Sequence, residues 1–421
     1  MSKVITDKKL VEELLTRGVE KIYPSRAALE KKLLSGDRIR LYCGYDPTAS
    51  SLHIGNAISI NKLGQFQALG HEVIFLIGDF TGLIGDPTDK KAARKKMTRE
   101  EVLHNAHDFK QQASAYLRFE GDNPAKVMYN STWNDKLNFA DLIELASNFT
   151  VQQMIQRDMF QERLKEEKPI YLHEFLYPLA QGYDSVAMDV DLEIGGNDQM
   201  FNMMCGRDLL KAVKNKEKFV LTMKLLADET GKKMGKSEGN VVFLNQAPND
   251  MYGQVMSWPD GTLTAGFELC TNVPAAEIAD MAADLKKDQV NPRDLKMKLA
   301  LAITTMNHGA AAAQKAQDHF ISTIQKKEIP TEIETIKLPP LYFSPLNVDS
   351  LAVDSQRSLY DLLDVLVGRM FSSKSEARRV VEEGGVKING EVLSDINRKY
   401  EITAVGLIIQ KGKKSFLKIT K

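Results

Sequence analysis

Arg38-Ile39-Arg40-Leu41-Tyr42-Cys43-Gly44-Tyr45-Asp46-Pro47-Thr48, with Ser51-Leu52-His53-Ile54-Gly55-Asn56 close behind it, decides the fold class. Its first half is a short apolar run that ends in Gly and Asp, the pattern of a buried strand breaking into a loop. Residues 52–69 then carry a helical pattern, and 72–77, Glu-Val-Ile-Phe-Leu-Ile, form a second apolar run that again ends in Gly and Asp. Strand, loop, helix, strand is a βαβ unit, so the fold is expected to be α/β. The turn before Ile54 opens a helix whose free N–H groups and partial positive charge suit a phosphate. His53 and Asn56, three apart, can face the same side of its first turn. A lone His near a helix start is more often a cap than a ligand contact, so this feature needs a second one beside it.

The second feature is Lys232-Lys233-Met234-Gly235-Lys236-Ser237, flanked by Gly231 and Gly239. Two lysines three apart and a hydroxyl on a Gly-hinged loop can close over a triphosphate and neutralise charge on a leaving pyrophosphate. A third loop, Ile194-Gly195-Gly196-Asn197-Asp198-Gln199, precedes a helical stretch at 200–210. In Phe175-Leu176-Tyr177-Pro178-Leu179-Ala180-Gln181-Gly182-Tyr183-Asp184, the polar residues Tyr177, Gln181 and Asp184 stand four and three apart and share one helix face, the pattern of a lined cavity.

Working outward, 7–17 and 25–34 predict two amphipathic helices that cover the N-terminal side. Residues 98–164 predict a helical insertion rather than more sheet, and 275–285, 292–306 and 310–324 make the part beyond 230 a mostly helical domain. Pro330, Pro339, Pro340 and Pro345 mark 329–354 as a linker. Residues 355–421 hold 13 Lys/Arg against 8 Asp/Glu, a net +5, which leaves −5 elsewhere in a chain whose total is zero. The neutral sum therefore hides a basic module. At 421 residues, 43% hydrophobic and 27% charged, the chain is too long for one small module and too apolar for disorder. Three scattered cysteines, Cys43, Cys205 and Cys270, argue against a disulfide framework or a structural zinc site and for a reducing compartment. No apolar run approaches the ~18 residues of a membrane span, so a cytoplasmic location is expected.

His53-Ile54-Gly55-Asn56 and Lys233-Met234-Gly235-Lys236-Ser237 resemble the HIGH and KMSKS signatures of class I aminoacyl-tRNA synthetases. The 42–48 segment, Thr81-Gly82-Leu83-Ile84-Gly85-Asp86-Pro87 and the 194–199 loop are similar to those of the bacterial-type tyrosyl-tRNA synthetase family, in order along nearly the whole chain. Two positions depart from the generic signatures: Asn56 stands for His, and Gly235 for Ser. Asn keeps an N–H donor for a phosphate oxygen, and Gly keeps the loop mobile.

The resemblance implies a Rossmann-like catalytic domain over 1–229, a helical anticodon-binding domain over 230–328 with the KMSKS-like loop at its start, and a small α+β RNA-binding domain over 355–421. It implies that Tyr42 and Asp184 hold the phenolic hydroxyl of tyrosine, that Asp86, Tyr177 and Gln181 hold its ammonium, and that Gln199 lies near its carboxylate. For ATP it implies Asp46, Thr48, His53, Gly55 and Asn56 at the nucleotide and its phosphates, with Ser59, Gly196 and Asp198 on the ribose side. Lys233, Lys236 and Ser237, with Lys90 and Arg94 from the basic run at 90–99, would reach the pyrophosphate. Mg²⁺ would come with ATP and no protein metal site is implied. In the tail, Ser372-Ser373-Lys374-Ser375-Glu376-Ala377-Arg378-Arg379 followed by Gly384-Gly385-Val386-Lys387-Ile388-Asn389-Gly390 reads as a helix and an Asn-Gly hairpin, and Lys374, Arg378 and Lys387 would meet RNA phosphates. The expected activity is ligation of tyrosine to tRNA(Tyr) by a homodimer built on 98–164. The alternatives are a non-catalytic RNA-binding relative and the tryptophan enzyme, which would not be expected to pair Tyr42 with Asp184.

Overall fold

The computed structural model describes residues 3–88, 97–227, 241–325, 333–339, 342, 356–403, 405–412 and 415–421. The chain divides into two compact units, Met1–Gln314 and Lys315–Lys421. The first is built on six strands: β1 (Val19–Tyr23), β2 (Arg40–Tyr45), β3 (Glu72–Ile77), β4 (Lys126–Tyr129), β5 (Leu192–Gly196) and β6 (Phe219–Met223). They lie in the order β1-β6-β5-β2-β3-β4, with only β1 antiparallel to its neighbour. β3 is buried at five of six positions and β5 at four of five. That near-continuous apolar burial is what a parallel sheet covered on both faces requires.

The connection from β2 to β3 is the helix Ile54–Ala68, as its pattern predicts. From β2 the chain builds outward through β3 and β4, then returns to place β5 on the other side of β2. This reversal leaves a crevice at the carboxyl ends of β2 and β5, the place where open α/β sheets bind ligands.

Three expectations need correction. The N-terminal cover is not helices alone, because β1 lies between the helices Lys8–Thr16 and Arg26–Leu34 and closes one edge of the sheet. The insertion at 98–164 is not wholly helical either, since it contributes β4, paired with β3 from Ile74↔Lys126 to Ile77↔Tyr129. Both are short edge strands, of five and four residues, with only partial burial, so their sequences lack the apolar run that marks β2 and β3. Beyond β6 lie the helices Pro248–Met256, Leu263–Cys270, Ala275–Lys286 and Pro292–His308.

The second unit has its own core, which includes Leu362, Leu366, Val386, Ile388, Ile409 and Ile419. Its helix Lys374–Glu382 is capped by Ser373, whose Oγ accepts the N–H of Glu376 at 3.1 Å. The hairpin follows as expected: Ile388 pairs with Glu391 across Asn389 and Gly390, at φ 49° and 90°, the positive values that such a two-residue turn demands. The third correction concerns the 329–354 linker. Within it Thr335–Lys337 forms a strand parallel to Ser415–Thr420, and Leu338 is buried in the same core.

Candidate active site

The crevice is a cavity of about 370 Å³, with the β2 and β5 ends, the start of the 54–68 helix and the helix Leu172–Met188 around it. Fourteen of the residues singled out in the sequence line it: Tyr42, Asp46, Thr48, His53, Gly55, Asn56, Ser59, Asp86, Tyr177, Gln181, Asp184, Gly196, Asp198 and Gln199. Lys90, Arg94, Lys233, Lys236 and Ser237 lie outside the described residues. Lys374, Arg378 and Lys387 belong to the second unit.

At the helix start His53 serves as the cap and also lines the cavity. His53 is the N-cap: its Nδ1 accepts the N–H of Asn56 at 3.3 Å, and Asn56 Oδ1 accepts the N–H of His53 at 3.0 Å. The reciprocal pair is a capping box, and it accounts locally for Asn56 in place of the generic His. The same two side chains stand at the cavity wall. Ser59 is more committed than its position suggests, because its hydroxyl donates to Asn56 O and therefore accepts from Tyr45 at 3.0 Å. At the end of β5, a Cβ on Gly196 would crowd the Asp198 carboxylate and stand 3.0 Å from Leu225 Cδ2, so a larger residue there requires those side chains to shift.

Tyr177, Gln181 and Asp184 project from one face of their helix, as their spacing predicts, and each has a fixed partner. Tyr177 donates to Asp46 Oδ2 at 2.8 Å, whose other oxygen accepts from Thr81 Oγ1 at 2.6 Å. Asp184, 2% exposed, receives Trp133 Nε1 at 2.7 Å, Asn134 Nδ2 at 3.2 Å and Asn130 Nδ2 at 3.2 Å. Burial pushes its carboxyl well above the usual range, and the N–H donors pull the other way. Gln199 Nε2 donates to Asp86 Oδ2 at 2.7 Å while its Oε1 accepts from Asn202 at 2.8 Å.

The Tyr42 hydroxyl meets Ser185 Oγ at 3.0 Å. The Asp46 carboxylate accepts from both Tyr177 and Thr81. Sequence reasoning passed over Asn130, Trp133 and Asn134, and a buried cluster at and behind the wall. There Lys218 Nζ pairs with Glu193 Oε2 and donates to Ser185 Oγ at 2.8 Å, and Gln181 Nε2 donates to Glu193 Oε1 at 3.1 Å. A charged residue inside the apolar run Leu192-Glu193-Ile194 was the one available signal. Burial lowers the Lys218 pKa, against the opposing pull of Glu193. Burial also raises the phenols of Tyr42 and Tyr177 well above their ordinary value, so both stay protonated donors.

In the second unit, Lys374 pairs with Asp364 at 2.7 Å, Arg378 stacks 5.2 Å from the Tyr360 ring centre, and Lys387 is exposed on the first strand of the hairpin.

Residues 34–325 match the family model for class I tRNA synthetases (W and Y), and residues 346–419 that for the tyrosine–tRNA ligase SYY-like C-terminal domain. The chain is 42% identical to the tyrosine–tRNA ligase of Haemophilus ducreyi, over 96% of this chain and 97% of that one. It is 41% identical to the tyrosine–tRNA ligase of Carboxydothermus hydrogenoformans, over 97% of each. Among solved structures, a C-terminally truncated mitochondrial tyrosyl-tRNA synthetase of Coccidioides posadasii superposes with a TM-score of 0.60 at 26% identity, over 73% of this chain and 91% of its own. The fold is shared with a tyrosyl-tRNA synthetase of Archaeoglobus fulgidus solved with L-tyrosine, at a TM-score of 0.58 and 21% identity, over 74% of this chain and all of that one.

Proposed function

This chain belongs to the tyrosyl-tRNA synthetases of class I, which activate tyrosine with ATP and transfer it to tRNA, and we propose that its cavity holds tyrosine at the Asp184 end and ATP at the His53 end. The observation that carries the assignment is Asp184 itself, a buried carboxylate held by Asn130, Trp133 and Asn134 at the cavity wall, where it can accept the proton of a phenol. Tyr42 would donate to the same phenolic oxygen. A site built to bind that hydroxyl leaves polar groups unpaired when phenylalanine enters; the penalty of ~10⁵ is one measured on this enzyme family rather than obtained from the present geometry. At the other end Asp86, Tyr177 and Gln181 would surround the ammonium, with Asp46 joining them through Tyr177.

The carboxylate of tyrosine attacks the α-phosphorus directly, so no side chain is needed as nucleophile or general base, and the protein contributes position and charge. Thr48, His53 and Asn56 would hold phosphates at the helix start, while Ser59, Gly196 and Asp198 would face the ribose. Lys90, Arg94, Lys233, Lys236 and Ser237 would neutralise the leaving pyrophosphate. Mg²⁺ would arrive on the phosphates of ATP. Lys374, Arg378 and Lys387 would meet tRNA phosphates, the first by exchanging its Asp364 partner. No helix among the described residues is long and apolar enough to cross a membrane, and with three buried free thiols a cytoplasmic site of action fits.

A homodimer also fits, since Phe139, Ile143, Val151 and Leu172 expose 77%, 56%, 71% and 83% of their surface on and beside the 98–164 segment. A subunit contact there would cover these exposed apolar side chains. A monomer mass at all concentrations in light scattering would remove that assignment. The orientation of tyrosine is tested by a crystal structure of its complex. The phenolic oxygen is expected within roughly 3.5 Å of Asp184 and Tyr42, and a reversed amino acid would overturn the assignment.

A further inference from the structure

Glu193 at the cavity wall and Lys218 behind it are 2% and 0% exposed and are joined as an ion pair. Such a pair is weak evidence for stability, because well-packed apolar residues often serve as well. Its hydrogen bonds, however, lead to the cavity in two directions. An ammonium only donates, so Ser185 Oγ, 2.8 Å from Lys218 Nζ, is the acceptor there. The single Ser185 proton can then go to Tyr42 Oη at 3.0 Å or to Glu193 Oε2 at 3.4 Å. The Tyr42 contact is the shorter, and Glu193 Oε2 already receives Lys218. With Ser185 donating to it, the Tyr42 oxygen is filled and its own proton is free to point into the cavity. On the other arm a carboxylate only accepts, so Glu193 Oε1 takes the Gln181 N–H at 3.1 Å and leaves Gln181 Oε1 as the atom offered to the cavity. Room for the cluster is made by Gly206 on the helix Met200–Lys214, where a Cβ would stand 2.6 Å from Lys218 Nζ and 2.8 Å from Ser185 Oγ.

We propose that Lys218, Glu193 and Ser185 are positioning residues that set the hydrogen-bond polarity of the tyrosine site, making Tyr42 a donor to the phenolic oxygen and Gln181 an acceptor for the ammonium. The proposal rests on the reading that Tyr42 and Gln181 contact those two ends of tyrosine. Lys218 does not line the cavity, and Glu193, which does, is only 2% exposed. One buried pair thereby orients a donor at one end of the amino acid and an acceptor at the other, and a glutamine at 193, free to flip, would lose the second.

Competitive inhibition of tyrosine-dependent pyrophosphate exchange separates the two arms, and an inhibition constant is not changed by an unfolded fraction. Three inhibitors are used: phenylalanine lacks the hydroxyl, 3-(4-hydroxyphenyl)propionate lacks the ammonium, and tyramine has both. Ser185→Ala is expected to weaken tyramine and hydroxyphenylpropionate by roughly 5- to 10-fold, the worth of about one hydrogen bond, with phenylalanine unchanged. The double variant Lys218→Met/Glu193→Gln, which leaves no lone buried charge, removes both the donor to Ser185 and the fixed acceptor of Gln181, so it is expected to weaken phenylalanine and hydroxyphenylpropionate by roughly 5- to 10-fold each and tyramine by about the product of the two. A structural defect would move all three by one common factor and would move phenylalanine in Ser185→Ala as well; either result, or no change in any, overturns the proposal. Tyr42→Phe is the control: loss of hydroxyl-dependent binding there without loss in Ser185→Ala rejects the relay alone, while no effect in either rejects the underlying assignment of Tyr42 as well.

Discussion

His71 is a single side chain from which a pH dependence of stability is expected. It is fully buried where the 54–68 helix turns into β3; its carbonyl accepts Asn123 Nδ2 at 3.0 Å, and its Nε2 is buried with no partner. Burial, aided by the nearby Arg38 charge, lowers its pKa to about 4. The unfolded chain takes up that proton near the ordinary value of ~6.5. Between these values the unfolded state binds more protons than the native one, so stability falls as pH drops from about 6.5 toward 4 and levels off below. The loss should be on the order of 3 kcal/mol across the window. Denaturant titrations at several pH values should show this slope in the native protein and a flatter one in His71→Gln, and equal slopes would contradict the assignment. Asp184 makes the complementary point. Its partners Asn130, Trp133 and Asn134 lie some fifty residues away in sequence, and no local spacing connects them to it.

At the scale of elements, legibility followed burial. β2, β3 and the 54–68 helix were readable because each buries a continuous apolar run or stripe and ends at a loop with Gly or Asp. The Tyr177, Gln181 and Asp184 face was readable for the same periodic reason. β1, Val-Glu-Lys-Ile-Tyr, is a half-exposed edge strand between two helices, and the three residues Thr335–Lys337 sit among prolines; neither is long enough to impose a period of its own. The family signatures pointed to the cavity residues by type. They did not reveal that Tyr42 is answered by Ser185, or that Glu193 and Lys218 stand behind them, because those partners meet only when β5, β6 and the 172–188 helix pack together.

At the scale of the whole molecule, the cavity and the basic charge lie in different parts of the chain, and the proposed function gives them catalysis and RNA capture respectively. The cavity residues all belong to the unit Met1–Gln314, whereas the +5 charge lies in 355–421. Because Thr335–Lys337 pairs with Ser415–Thr420, a clean truncation removes 333–421; cutting at 355 would strand one strand of that sheet. The shortened enzyme is expected to retain tyrosyl-adenylate formation, while tRNA charging falls by roughly 10-fold or more. The log–log salt slope of tRNA affinity should decrease by about 2, as contacts from Lys374, Arg378 and Lys387 are lost at ~0.7 each. Equal charging and equal slopes in the two forms would assign the basic unit some other role. The central claim, that the crevice between β2 and β5 activates tyrosine, is tested most directly by exchange of labelled pyrophosphate into ATP with each amino acid in turn. Exchange that requires tyrosine, with tryptophan and phenylalanine near background, is the predicted result; exchange supported by tryptophan instead, or none with tyrosine, would contradict it.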